Sequence, residues 1–160
     1  MRDARQVAVI GGADCEPGSE AAELAEEVGR LLAEAGATVV CGGLTGVMEA
    51  ACRGASEADG VAIGIVPGNS VAEANPHCTH VVATGIGHAR NLAVVSSGEA
   101  VIAIGGEWGT LSEIGLAGKL GRPVVALAGW EVRGVERADD PADAVARLLA
   151  RLGQPRSNAG

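Results

Sequence analysis

Ala100-Val101-Ile102-Ala103-Ile104-Gly105-Gly106-Glu107-Trp108-Gly109-Thr110 joins five apolar residues to a glycine-rich turn and a hydroxyl residue suited to open a helix. An apolar run with no polar alternation has no face to offer water, so it reads as a strand covered on both sides. The order recurs upstream. Residues 7–10 are apolar and run into Gly11-Gly12, and residues 38–41 run into Gly42-Gly43-Leu44-Thr45-Gly46. Further strands are expected over 61–66, 80–83 and 123–127.

Helical periodicities lie between these runs. Ser19 is a capping residue with Glu20 and Glu23 in the following turn, Leu24, Val28, Leu31 and Leu32 recur at helical spacing, and Gly36 stops the pattern. Other helices are expected over 47–58, over 88–97, from Thr110 to before Gly121, and from Asp140-Pro141 onward, with Asp140 as cap and proline at the first helical position. Residues 67–76, rich in Pro, Asn and Gly, read as a loop, and 130–137 are ambiguous.

Buried strands alternating with helices predict an α/β, Rossmann-like, three-layer αβα fold with a mostly parallel sheet. Right-handed crossovers bring every strand's C-terminal end to one edge, and ligands bind there, where the strand order reverses. No repeat or composition break divides the chain, so residues 1–153 are expected to form one domain and 154–160 a flexible C-terminal tail.

Composition narrows the function. The formal charge is −8, from 20 acidic and 12 basic residues, and Phe and Tyr are absent, so the basic and stacking equipment for nucleic acid is missing. No apolar run could span a membrane, and the N-terminal residues read as a strand entry and not as a secretory signal, so a cytoplasmic location is expected. Cys15, Cys41, Cys52 and Cys78 form no CxxC pair and read as reduced, mostly buried thiols, with Cys15 and Cys41 nearest the expected binding edge.

Glycine at a strand-to-helix turn lets the backbone approach a ligand, and the free N–H groups of the next helix then face any bound anion. The candidate ligand- and phosphate-binding residues are therefore Gly11, Gly12, Gly42, Gly43, Thr45, Gly46, Gly105, Gly106, Trp108, Gly109 and Thr110. The threonines would add hydroxyl donors, and Trp108 would either stack on a base or pterin ring or cover its turn. A Walker loop is absent, since the only Gly-Lys pair, Gly118-Lys119, precedes Leu120. The dinucleotide fingerprint also fails at Gly11-Gly12-Ala13-Asp14, which disfavours NAD. His77, Cys78 and His80 lie close together, but three candidate ligands without a fourth leave the expectation at no metal.

The segment Gly105-Gly106-Glu107-Trp108-Gly109-Thr110-Leu111-Ser112-Glu113 resembles the PGGxGTxxE signature of the LONELY GUY family, long mislabelled lysine decarboxylases. Gly42-Gly43-Leu44-Thr45-Gly46-Val47-Met48 is similar to that family's GGxxGLM turn, and His88-Ala89-Arg90-Asn91 falls where the family carries an Arg-Lys pair. The resemblance runs over residues 7–127. It implies Arg90 and Glu113 as the catalytic pair of a nucleoside 5'-monophosphate phosphoribohydrolase, cleaving AMP or a cytokinin riboside monophosphate. A carboxylate suits the oxocarbenium-like transition state of that cleavage, and an arginine suits the phosphate.

The departures from the signature are Gly105 for proline, Glu107 for the second glycine and Asn91 for lysine. They look more like the branch that includes the molybdenum-cofactor carrier proteins, which bind a phosphorylated pterin without turning it over. The resemblance thus implies a nucleotide- or molybdopterin-phosphate-binding protein, with the phosphoribohydrolase as the alternative. Its partner would be that small phosphorylated ligand, a nucleotide or the molybdenum cofactor, with no further cofactor required, and the chain would form a homodimer or homotetramer. A decarboxylase is disfavoured, because Lys119 is the chain's only lysine and sits on a helix, leaving little room for an internal aldimine.

Overall fold

In the computed structural model, which describes residues 4–153, seven strands line up side by side. They are β1 (Gln6–Gly11), β2 (Thr38–Cys41), β3 (Ala62–Val66), β4 (His80–Ala83), β5 (Ala100–Ile104), β6 (Val124–Leu127) and β7 (Glu136–Arg137). Their order is β4-β3-β2-β1-β5-β6-β7, and every neighbouring pair is parallel. The expected mostly parallel sheet is therefore parallel throughout the described residues. β7 comes from the stretch that read as ambiguous, because a two-residue strand carries no periodicity.

The helices are α1 (Glu20–Glu34), α2 (Val47–Glu57), α3 (Arg90–Ser97), α4 (Trp108–Lys119) and α5 (Pro141–Leu152). Alternate strand residues feed opposite layers. Val7, Val9, Val39 and Cys41 pack with α1, α2 and α5, whereas Ala8, Ile10, Val40 and Val101 pack with α3 and α4. Two helix starts follow their predicted caps: Ser19 Oγ accepts from the Ala22 N–H and Asp140 Oδ1 from the Asp143 N–H, each bond contributing about 1 kcal/mol. None of the described helices is long and apolar enough to cross a membrane.

α1 and α2 meet at two glycines. A methyl group on Gly29 would lie 2.0 Å from the Ala51 carbonyl oxygen, and one on Gly54 would lie 1.9 Å from that of Glu26. Backbone touches backbone here, so no side chain fits between the helices.

Three boundaries differ from the sequence reading in ways that matter for the site. The 67–76 loop contains a 3-10 turn, Val71–Glu73, and the helix expected over 88–97 begins as another, Gly87–Ala89. α4 starts at Trp108, two residues before Thr110, because Glu107 takes the extended N-cap conformation. Glu113, in the first turn of a helix begun at Thr110, stands instead in the second turn of α4. Residues 154–160, the expected tail, lie outside the described residues.

Candidate functional site

The chain leaves β1 toward β2 on one side and returns from β4 to β5 on the other, so the order reverses between β1 and β5. Gly11 pairs with Ile104 in register, which sets the turns beginning at Gly11 and Gly105 side by side at the C-terminal edge. Parallel α/β sheets open a crevice at such a point because the two outgoing crossovers diverge to opposite faces.

The glycines that rim the crevice are required by close packing. A methyl on Gly46 would meet the Gly12 carbonyl oxygen at 2.3 Å, and one on Gly42 would meet an Arg90 guanidinium nitrogen at 2.7 Å. The Val47 N–H donates to the Gly12 carbonyl at 3.0 Å, so the start of α2 is already engaged by the first turn. Thr45 is engaged as well, its hydroxyl donating to the Ala13 carbonyl at 3.0 Å. Beside it lies a cavity of about 450 Å³ lined by Asp14, Cys15, Glu49 and Arg53.

The start of α4 differs. Its N-cap, Glu107, makes no side-chain capping bond, and helix-start N–H groups that lack a cap can receive an anion. Thr110, 2% exposed, has a buried hydroxyl with no hydrogen-bond partner. The Glu107 carboxylate lies over Gly12, where a methyl on that glycine would come within 2.2 Å of Oε1. Trp130 donates from Nε1 to the Glu107 carbonyl at 3.1 Å, and Trp108 leans on the Trp130 ring with centroids 5.4 Å apart. Trp108 itself is 78% exposed, so it covers none of the crevice floor.

Arg90 and Glu113 approach the same crevice from α3 and α4. Both are buried, at 7% and 8% exposure. Arg90 donates from a terminal nitrogen to the Gly42 carbonyl at 3.4 Å and from another to Asn91 Oδ1, while its Nε is buried without a partner. Burial depresses the Arg90 pKa, opposed by the negative charge of Glu113. Burial pushes the Glu113 carboxyl up to about 7, and the Arg90 charge offsets only part of that. A buried arginine thus faces a carboxyl poised to hold or release a proton near neutrality.

The structure sets Gly46 against Gly12, Gly42 against Arg90 and Arg90 near Glu113, with Thr110 one turn before Glu113 on α4, while Thr45 bonds Ala13 and Trp108 stands exposed. It also supplies a residue that the sequence reading did not single out. Asn75, 8% exposed, donates from Nδ2 to the Gly43 and Leu44 carbonyls at 3.3 and 2.9 Å, and its Oδ1 accepts from the His77 N–H at 3.0 Å. Asn75 falls in the 67–76 stretch that read as a loop, but nothing in it pointed 31 residues back to Leu44. Cys41, Cys52 and Cys78 also converge, whereas Cys15 lies apart at the cavity beside Thr45. No group of three or more His, Cys, Asp or Glu among the described residues is arranged to hold a metal ion.

Comparison with known proteins agrees with this architecture. An uncharacterized protein of Archaeoglobus fulgidus is 41% identical over 122 residues, spanning 76% of this chain and 79% of that protein. The molybdenum cofactor binding protein of Rippkaea orientalis superposes with a TM-score of 0.88 at 31% identity, covering 95% of this chain and 99% of that one. The molybdenum cofactor carrier protein of Chlamydomonas reinhardtii gives 0.86 at 30% identity, over 94% and 99%. A sequence profile matches residues 4–151, nearly every residue described, and by that match the chain belongs to the SLOG cluster4 family.

Proposed function

We propose that this protein binds a phosphorylated pterin or nucleotide, the molybdenum cofactor foremost, across the β1/β5 crevice. The observation that carries the reading is a pair of buried polar atoms without partners, Arg90 Nε and Thr110 Oγ1, on the two helices that flank the crevice. Burying an unpartnered donor costs about 1–3 kcal/mol, and a ligand anion would satisfy both. The uncapped start of α4 adds backbone donors for the same phosphate, whereas the start of α2 is occupied by the Gly12 carbonyl. The molybdenum-cofactor proteins of Rippkaea orientalis and Chlamydomonas reinhardtii support the pterin as cargo.

Glu113 favours a second reading. A carboxyl held near neutral pKa beside a buried arginine is suited to N-glycosidic hydrolysis of a nucleoside monophosphate, with Arg90 orienting the phosphoribosyl group and Glu113 holding the proton or the water. Incubation with AMP, followed by chromatography for adenine and ribose 5-phosphate, separates the two. Release that Glu113→Gln abolishes, with AMP affinity kept within about fivefold, makes the protein a phosphoribohydrolase. Calorimetric binding of AMP or molybdenum cofactor without release makes it a carrier, and neither binding nor release overturns both readings.

Thr110→Val tests the site itself. Since the hydroxyl bonds nothing in the protein, valine should leave the melting temperature unchanged or higher while affinity falls about tenfold. The same proposal includes assembly as a homodimer or homotetramer, with exposed Ile86 and Leu92 available on the α3 side. Sedimentation equilibrium returning the monomer mass refutes that part alone.

A further inference from the structure

Three of the four cysteines, from β2, α2 and the segment before β4, meet under the Gly43 turn. Cys41 Sγ lies 3.3 Å from Cys52 Sγ, and Cys52 Sγ lies 3.7 Å from Cys78 Sγ. All are free thiols; Cys41 and Cys52 are buried, and Cys78 is partly exposed. The sulfurs of three distant segments thus form a chain of contacts through Cys52, close enough to react with one another as well as to pack.

The cluster also joins the crevice rim. The Gly43 N–H donates to Cys41 Sγ at 3.3 Å, and the Cys78 N–H donates at 3.3 Å to the carbonyl of Asn75, the residue whose side chain holds the Gly43 and Leu44 carbonyls. We propose that Cys78 and Cys52 form an oxidative-modification site, in which a hydroperoxide converts the pair to a disulfide and the closure is transmitted through Asn75 to the Gly43-Leu44 turn.

The three thiols divide the work by exposure and proton affinity. Hydrogen bonding within the cluster, from Cys41 first and then Cys52, draws the Cys78 pKa down to about 4, so Cys78 is the thiolate, and it is also the one residue of the three that is partly exposed. Cys52 favours ionisation of Cys41, but Cys78 and burial outweigh it and push Cys41 up to about 12. Cys41, Cys78 and burial push Cys52 higher still, so both stay protonated, and Cys52 is the resolving thiol by its contact with Cys78 Sγ. The Cys78 sulfur attacks the peroxide O–O bond, forming S–O and expelling alkoxide, or hydroxide from hydrogen peroxide, which takes a proton from water. Cys52 then attacks the sulfenic sulfur, S–S forms, S–O breaks, and hydroxide leaves as water with the Cys52 proton. In sum, two thiols are oxidised, and one hydroperoxide is reduced to an alcohol and water. The sulfurs must close from 3.7 Å to about 2.05 Å, and Cys78 sits on the more movable of the two segments because Cys52 is fixed within α2.

The test treats the full chain with hydrogen peroxide, blocks remaining thiols and maps peptides by mass spectrometry. The expected product is a Cys52–Cys78 link that dithiothreitol reverses, with Cys15 and Cys41 still alkylated. Cys41→Ser should keep the link, and Cys52→Ser should leave Cys78 as its higher oxygen acids. A link between Cys41 and Cys52, a link that persists in Cys78→Ser, or no link when Cys78 is oxidised overturns the assignment. Hydrogen exchange on the oxidised and reduced chain reads the transmission. Altered protection over residues 42–47 is expected, and identical exchange there refutes the coupling to the turn.

Discussion

Glu113 carries the largest electrostatic cost in the site, and that cost has a sign. Its carboxyl titrates near 7 in the fold against 4.5 in the open chain, so the fold prefers the protonated form. The stability this preference gives is complete below pH 4.5 and is lost as pH rises to 7, a change of about 3 kcal/mol. Glu113→Gln cannot ionise, so thermal melts should show the variant more stable than the parent at pH 8 and matched at pH 4. Glu107 poses the opposite problem, since its carboxylate hangs over Gly12, on the path the proposed anionic ligand would take. Glu107→Gln removes that repulsion and should tighten AMP binding about fivefold by calorimetry, while weaker binding would show the carboxylate to be a ligand contact. Gly105 explains a departure from the signature the chain resembles: its φ is +73°, which a proline ring cannot adopt.

At the scale of elements, the tightest constraint is the crossing of α1 and α2. With Gly29 against Ala51 and Gly54 against Glu26, Gly54→Ala would force backbone from backbone, and overpacking of this kind costs about 1–3 kcal/mol. Denaturant titration should show the loss, and an unchanged midpoint would mean that the helices can part freely. Elements were legible where composition left one answer. β2, β4 and β5 fall on the residues expected, because each holds consecutive β-branched residues and ends at a glycine or a polar residue. The start of α4 was misjudged by two residues, since Thr110 is a good cap and Glu107 fills the role through backbone conformation alone.

Over the whole molecule, the fold was readable because it depends on local pattern, whereas much of the site depends on contacts across the sheet. The resemblance, and not spacing, pointed to Arg90 and Glu113; the sequence then offered no sign that both would be buried. Asn75 and the trio of Cys41, Cys52 and Cys78 were invisible for the same reason. Their partners lie 11 to 32 residues away, and no periodicity encodes which strand edge a loop will cross. The glycines stand at the turns expected of them, and several also accommodate neighbouring backbone or Arg90.

The chain has two tryptophans and no tyrosine or phenylalanine, and both indoles stand at the start of α4. Its ultraviolet absorption near 280 nm and its intrinsic fluorescence therefore arise at the mouth of the crevice alone. A molecule entering there would change the emission with no background from elsewhere, so the protein carries its own optical probe, without a label, beside the proposed ligand site.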